Sequence, residues 1–266
     1  MLHVYSKNLR KNWLINVVGP VTVAGFIVLI AFAWPSMQDM ILDRLEQMSN
    51  PIYQAILGDL GLEGLGLTWE AAMFMYAGGV MNIVMLFVAM LIPGRMLATE
   101  IDKKSLDVVL SYPIPRWRYL LEKFAVYLTY SLLFPVFLVV VMISSSAVLG
   151  EEVDPVLIVN YVIGVWFLLF ALGAFSLLCV TVFLDSSRSL AAAGILILCQ
   201  YFLASMGGLI PVLSDLQFLS LFHYFKLDAI TSAGMLPLGE LFIVTATGII
   251  ALSGALYIFQ RREFAI

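Results

Sequence analysis

The chain has 266 residues, of which 62% are hydrophobic and 12% are charged, and its mean hydropathy is +1.01. A soluble globular domain is nearer half apolar and a quarter charged, so this excess indicates a bilayer protein. The composition excludes a soluble enzyme, a nucleic-acid-binding domain and a disordered regulator. The formal net charge of -4 is modest, and the positions of the charges are more informative than their sum.

Charged residues divide the chain into six windows of 20 to 30 uncharged residues. An apolar helix needs about 20 residues to cross the hydrocarbon layer, and no other part of the chain offers such a window. The pattern predicts an all-α membrane protein with a single transmembrane domain over residues 1–266, rather than a barrel of short alternating strands. The six predicted spans are 13–34, 71–92, 124–148, 157–184, 190–213 and 241–260.

Six spans place both termini on the same side of the membrane. If that side is cytoplasmic, 12 of the 14 basic residues lie inside, and only Arg44 and Lys226 lie outside. The positive-inside rule therefore predicts cytoplasmic termini in a multi-pass protein of the cytoplasmic membrane. The first span is longer than the apolar region of a signal peptide and lacks a small-residue cleavage site, so we expect it to stay as a helix.

Residues 1–12 are predicted to form an amphipathic interfacial helix. At about 100° per residue, Leu2, Tyr5 and Leu9 fall on one face, and three basic side chains fall on the opposite face. This pattern suits the inner membrane surface, where basic side chains meet anionic lipid headgroups. The same charges also serve as a topology signal.

Two further segments, 35–70 and 214–240, are predicted to be extracytoplasmic. In the first, apolar residues recur at helical spacing until Asn50-Pro51 ends the helix, and several glycines follow. This segment is either a lid over the outer mouth of a pathway or a pair of helices that rest on the headgroups. The second contains the apolar run Leu216–Phe225, which either stays outside or re-enters the membrane under the cover of other protein segments.

The predicted spans lack acidic and basic side chains, and this absence argues against several classes of membrane protein. The six windows contain no Asp, Glu, Lys, Arg or His, although ion channels and proton-coupled pumps usually bury such groups. The sequence has no hydrolase motif, no metal-binding cluster and no phosphate loop. We therefore predict no catalytic residue, metal or cofactor in this chain, and uphill transport must draw its energy from another polypeptide.

The one substantial cytoplasmic loop, residues 94–123, holds ten charged residues and is predicted to be helix, turn, helix. Leu106 and Leu110 contribute to a small apolar face among the charges. Prolines at 113 and 115 impose an extended turn, after which a new helix is predicted to start near Arg116 and to run into the third span. A charged loop with an apolar face, held on two spans, is a surface that a cytoplasmic partner can bind.

This loop resembles the ABC type-2 permease family, the membrane subunits of ATP-binding-cassette exporters. In that family a Glu is followed by a Thr-Leu or similar pair and then by a Leu-Ser/Thr-x-Pro-Ile/Val-Ser/Thr-Arg segment. Here those places are occupied by Glu100, Ser105-Leu106 and Leu110-Ser111-Tyr112-Pro113-Ile114-Pro115-Arg116. Weaker similarity extends to Phe222–Phe225 and to the ending Phe259–Glu263. Pro115 departs from the family pattern because it replaces a Ser or Thr that can cap a helix, although proline suits a first helical turn.

The resemblance implies that loop 94–123 forms a coupling helix that docks in a groove of an ATPase subunit. Arg116 is then expected to pair with an ATPase carboxylate, or alternatively to anchor on lipid headgroups. The residues expected at or near the contact are Glu100, Ser105, Leu106, Leu110, Ser111, Tyr112, Pro113 and Arg116. The resemblance also implies that the second and fifth spans line the transport cleft, where the candidates are Tyr76, Asn82, Gln200 and Met206.

The resulting prediction is a non-catalytic permease subunit of an ABC exporter. Two permease chains form the pathway, and we favour a homodimer over a heterodimer. Two ABC ATPase subunits, which bind ATP and Mg, supply the energy. One alternative is a non-transporting scaffold or assembly factor whose loop binds a soluble partner other than an ATPase. A passive channel or secondary carrier is a further alternative, which the uncharged spans disfavour.

Overall fold

The computed structural model describes residues 5, 6, 9, 13–47, 69, 73, 83–84, 87–93, 97, 100, 115–183, 185–207, 211–225 and 237–262. These residues form helices and the turns between them, with no strand among them. The long helices in this part of the chain are α1 (Trp13–Gln47), α2 (Arg116–Leu149), α3 (Pro155–Phe183), α4 (Ser186–Gly207) and α7 (Leu238–Arg261). Between α4 and α7 lie the short α5 (Pro211–Ser214), a 3-10 turn (Gln217–Leu219) and α6 (Leu221–Tyr224).

Each of the five long helices contains a stretch that is long and apolar enough to cross a membrane. They correspond to the first, third, fourth, fifth and sixth predicted spans, so the prediction of an all-α, multi-pass membrane protein is confirmed. The fifth span was predicted over 190–213, whereas α4 ends at Gly207. The second predicted span, 71–92, is described only at scattered positions. The count of six spans and the cytoplasmic location of the termini therefore stay predictions.

Helix α1 continues beyond residue 34, where the first span was predicted to end, and reaches Gln47. Pro20 and Pro35 lie inside α1 without ending it. A proline removes one backbone donor, and a long apolar helix in a bilayer tolerates this loss when neighbouring groups satisfy the freed carbonyl. The first part of the predicted outer segment is thus a direct continuation of the span.

The turns between α2, α3 and α4 use residues suited to them. Helix α2 ends at Gly150, whose φ of 75° lies in the left-handed region that glycine adopts without strain. The Asp154 carboxylate accepts the backbone N–H of Val156 at 2.8 Å, at the start of α3. The Asp185 carboxylate accepts the backbone N–H of Arg188 at 2.7 Å, so α4 begins directly after α3.

Helix α3 is the centre of the bundle, because it packs against α2, α4 and α7, and its interface with α7 is the largest in the described part. A Cβ at Gly248 of α7 would lie 3.0 Å from the Cα of Ala171, so the two backbones are in close contact. Lipid tails are as apolar as the side chains, and close packing of this kind holds membrane helices together. The residues that α7 buries are Val244, Gly248, Ala251, Ala255 and Phe259.

A second close contact joins α2 to α3 at Gly173. The hydroxyl of Tyr127 donates to the backbone carbonyl of Leu169 at 2.7 Å, and this bond holds the Tyr127 ring against α3. A Cβ at Gly173 would lie 2.1 Å from Cε1 of that ring. Only glycine therefore fits at this position while Tyr127 keeps its orientation.

We expect Gly173→Ala to destabilise the folded chain by about 1–3 kcal/mol, because the new methyl group forces Tyr127 out of a packed interface. The matched control is Gly254→Ala, where a Cβ would meet only Cδ1 of Leu178 at an ordinary 3.5 Å. The measurement is the midpoint of thermal unfolding in detergent. Equal midpoints for the two variants would contradict the close contact at Gly173.

The predicted orientation is testable at two exposed turns. In a background with Cys179 and Cys199 replaced by alanine, Glu152→Cys should react in intact cells with a maleimide that cannot cross membranes. Ser187→Cys should react only after permeabilisation, because its turn lies next to Arg188 on the side that the positive-inside rule makes cytoplasmic. The reverse pattern of labelling would invert the topology.

Candidate functional site

Polar side chains from four separate segments meet along the first four turns of α2. The segments are the N-terminal residues 5–9, the segment around Glu100, the start of α2 itself and the end of α7. Together they bring residues near both ends of the sequence, and Glu100 of the 94–123 loop, to the end of the bundle where α2 starts. We name this set of residues the inner-end cluster: Tyr5, Glu100, Arg116, Tyr119, Glu122, Lys123 and Arg262.

Two side chains of α2 hold Glu100. The Nζ of Lys123 lies 2.6 Å from Oε1 of Glu100, and the hydroxyl of Tyr119 donates to Oε2. Lys123 and Tyr119 are both buried, and Nζ also lies 5.4 Å from the centre of the Tyr119 ring. An ammonium removed from water is stable only when it is paired in this way. The ion pair therefore connects the loop segment to α2.

Glu122, the adjacent buried charge, connects the N-terminal segment to the same helix. Its Oε2 accepts the backbone N–H of Tyr5 at 3.2 Å, and the Tyr5 hydroxyl lies 2.9 Å from Oγ1 of Thr129. Farther along α2, the hydroxyl of Tyr130 donates to the carbonyl of Leu9. Of the predicted interfacial helix, only positions 5, 6 and 9 are described, and two of these contact α2.

Arg262, directly after the end of α7, connects three helices. Its Nη1 donates to the carbonyl of Thr181 at 2.7 Å and to that of Val182, both at the end of α3. Its own carbonyl accepts a hydrogen bond from Nη1 of Arg116 at 2.9 Å. The last carbonyls of a helix lack partners within the helix and carry partial negative charge, so a guanidinium stabilises them. The ends of α3 and α7 thereby hold the start of α2.

Comparison with known families supplies the class of protein. Residues 21–263 match the model of a family described as "ABC-2 family transporter protein". The chain belongs to the ABC-2 transporter family. The match covers most of the chain and confirms the resemblance found in the loop. No curated protein matches the chain significantly.

Membership of the ABC-2 family makes this chain a membrane-embedded permease subunit of an ABC transporter. Permeases of this family are generally non-catalytic, and they have an ABC ATPase as partner in general. The matched range runs from α1 to the residue after Arg262, so it includes the inner-end cluster from Glu100 onward. All members of the cluster except Tyr5 therefore lie within the region that matches the family.

The structure describes two of the eight residues expected at the ATPase contact of this permease. Glu100 and Arg116 lie at the same end of α2, and each contacts another segment of the chain. Beside them, Trp117 is 45% exposed and directs an aromatic ring outward from the bundle. The other six residues, Ser105, Leu106, Leu110, Ser111, Tyr112 and Pro113, lie outside the described residues.

Of the four candidates for the pathway lining, the structure of the permease describes two, Gln200 and Met206. Gln200 connects α4 to α6: its side-chain oxygen accepts the backbone N–H of Leu221 at 3.2 Å, and its carbonyl accepts the Ser220 hydroxyl at 2.6 Å. Met206 lies partly exposed near the end of α4. Tyr76 and Asn82 lie outside the described residues. A role of these residues in the pathway stays a prediction.

Sequence reasoning missed Tyr119, Lys123 and Arg262 as functional candidates. The sequence carries a signal for two of them and none for Tyr119. Lys123 is the last charge before the third uncharged window, and Arg262 lies in the segment that resembles the family ending. Neither signal identifies a partner, because Glu100 and Thr181 are far away in the sequence. Pairing across such distances depends on how the helices pack.

We expect Arg262→Met to lower the free energy of unfolding by about 1–2 kcal/mol, because the carbonyls at the end of α3 lose a charged donor. Arg261→Met is the matched control: it removes the same charge from the same end, but the Arg261 guanidinium is exposed and, among the described residues, lies over the Tyr257 ring, at 4.5 Å. Thermal unfolding of both variants in detergent is the measurement. If Arg261→Met is the more damaging substitution, the contact with α3 is unimportant.

Proposed function

We propose that this chain is the permease subunit of an ABC exporter, and that loop 94–123 couples its pathway to a separate ATPase. The observation that carries the proposal is the inner-end cluster, which holds the loop to the bundle near both of its ends. Glu100 is bound by Lys123 and Tyr119 on one side, and Arg116 is bound by the carbonyl of Arg262 on the other. A partner that binds this loop and moves it therefore also moves the helices to which its two ends are held.

The shape of α2 supports transmission into the membrane. This helix runs from Arg116, in the loop, to Leu149 at the other end of a span, and it continues through Pro135, which removes one backbone donor without ending it. Each backbone N–H of a helix bonds to a carbonyl four residues earlier, so a displacement of the first turn moves the whole helix. Helix α2 packs against α1, α3 and α7, so the displacement reaches the centre of the bundle.

The energy source lies outside this chain in our proposal. The sequence has no phosphate loop, so we place ATP and Mg in two ABC ATPase subunits. Two permease chains form the pathway, and we favour a homodimer because closed twofold assemblies are the commonest arrangement of identical chains. Closure of the ATPases then exposes the cleft alternately to the two sides. The apolar composition of the spans suits amphiphilic, lipid-like or drug-like cargo.

Native mass spectrometry tests the assembly. The chain is purified in mild detergent from its own host, and we expect two ATPase subunits to accompany two permease chains. A lone chain, found after cross-linking has excluded dissociation in detergent, overturns the proposal. A complex with a protein other than an ATPase overturns it as well and favours the scaffold function.

Charge reversal at Arg116 tests the loop. We expect Arg116→Glu to weaken association with the ATPase at least about tenfold, because reversal of a charge opposite a carboxylate replaces attraction with repulsion. Co-purification of the ATPase at a series of concentrations measures this loss. The matched control is Arg188→Glu, an equal reversal at the exposed inner turn between α3 and α4.

A further control separates docking from internal packing, because Arg116 also donates to the carbonyl of Arg262. Arg262→Met keeps that backbone carbonyl, but it removes the side chain that anchors residue 262 to the end of α3, so it loosens the internal contact without reversing a charge in the loop. If Arg262→Met weakens association as much as Arg116→Glu does, the effect of Arg116 is internal and the proposed contact with the ATPase is wrong.

A further inference from the structure

Lys123 is the one buried basic side chain among the residues that the structure describes, with 3% of its surface exposed. It directly precedes an uncharged window that belongs to the membrane. A lysine that served as a headgroup anchor or a topology signal would extend its stem toward the interface and keep its ammonium in water. Lys123 instead directs its ammonium inward to Glu100, at 2.6 Å.

Glu100 is bound within the chain, although 26% of its side chain stays exposed. One of its carboxylate oxygens contacts Lys123, and the other accepts the hydroxyl of Tyr119. An acidic residue whose role is to dock on a partner would keep its carboxylate oxygens available to that partner. Both oxygens of Glu100 instead have partners on α2, although the sequence motif places this residue among the docking residues.

The adjacent acidic side chain, Glu122, has partners of its own: one oxygen accepts from Nε of Arg118 at 3.1 Å and the other from the backbone N–H of Tyr5 at 3.2 Å. Neighbouring positions of a helix do not face each other, so Glu122 and Lys123 point in different directions. Lys123 and Tyr119, by contrast, lie four residues apart on one face of α2 and converge on the same carboxylate. The two side chains therefore form one binding site for Glu100.

The ion pair closes the loop at its base. Glu100 follows the second predicted span and Lys123 lies in α2, so their contact joins the two ends of the segment that carries the docking residues. A closed loop has fewer conformations than an open one. Within the described residues, this pair holds Glu100 to α2, and the bond from Arg116 to the carbonyl of Arg262 holds the start of α2 to the end of α7.

We propose that Lys123 is a positioning residue: through Glu100 it holds the coupling loop in a set position on α2, so that movement of a bound ATPase reaches the span. This inference rests on the proposed function. In this arrangement, the residues that dock on the ATPase differ from the residues that transmit its movement to the span. Loss of the pair leaves docking intact and disturbs transmission.

The test uses the complete permease–ATPase complex, purified from its own host and reconstituted in lipid. The variants are Lys123→Glu, Glu100→Lys and the double exchange of both charges. Two quantities are measured: the amount of ATPase that co-purifies, and the ATP turnover per ATPase subunit in the complex. Thermal unfolding identifies variants that are not folded.

We expect each single variant to retain the ATPase and to change ATP turnover in the complex by about fivefold or more, the size of a typical coupling between sites. The double exchange restores the ion pair with reversed polarity and should return turnover to near the wild-type value. A residue with only a structural role would not show rescue in turnover at unchanged association.

A milder variant and its control keep the test decisive if the single charge variants do not fold. Tyr119→Phe removes only the hydroxyl that contacts Glu100 and keeps the ring that stacks on Phe259, 6.4 Å away between centroids. It should change turnover in the same direction with ATPase association retained. Thr129→Val is the control, because it removes a contact of the N-terminal segment with α2 and leaves the loop untouched.

The outcomes separate the two proposals. Loss of ATPase binding in the single variants places Glu100 or Lys123 in the docking contact and overturns the positioning role, while the proposed function stands. The positioning role is also overturned if Tyr119→Phe and the single charge variants keep wild-type ATP turnover. A double exchange that folds but does not restore turnover overturns it as well. Absence of an ATPase from the wild-type complex refutes the proposed function itself.

Discussion

Close packing around α3 is the constraint on which the rest of the described structure depends. In a bilayer, burial of apolar side chains does not by itself drive helices together, so their association needs contacts that lipid cannot provide. At Gly248 the backbone of α7 lies against α3, and at Gly173 the ring of Tyr127 does the same from α2. These contacts fix α2 and α7 on α3, and thereby fix where the ends of the three helices meet.

The inner-end cluster follows from that packing. Because α3 and α7 end side by side, Arg262 reaches the carbonyls of Thr181 and Val182 while its own carbonyl receives Arg116. The start of α2 is then placed so that Lys123 meets Glu100. Apolar packing within the membrane thus orients the helices. Charged contacts at the edge of the membrane connect Glu100 and the start of α2 to the bundle.

The part of the fold that was predictable is the part that depends on local composition. Apolar windows locate five long helices, and the prolines before Arg116 locate the start of α2. The extension of α1 through Pro35 to Gln47 was not predicted, because a charged residue marks the end of an apolar window and not the end of a helix. Gln200 stays a candidate for the pathway lining, and its hydrogen bonds to Ser220 and Leu221, which connect α4 to α6, were not predicted. Its partners depend on tertiary packing.

The sequence by itself determined the class of the protein and the location of its loop. The excess of apolar residues requires a membrane, the charged positions delimit the helices, and the motif from Glu100 to Arg116 indicates the family that the match over residues 21–263 confirms. Only the tertiary structure decided which charges face inward. The motif contains Glu100, but it does not indicate the partners of this residue. The pairing of Glu100 with Lys123 and Tyr119 depends on how the segment that contains Glu100 approaches α2. An ion pair needs contact in space, and spacing along the chain does not specify it.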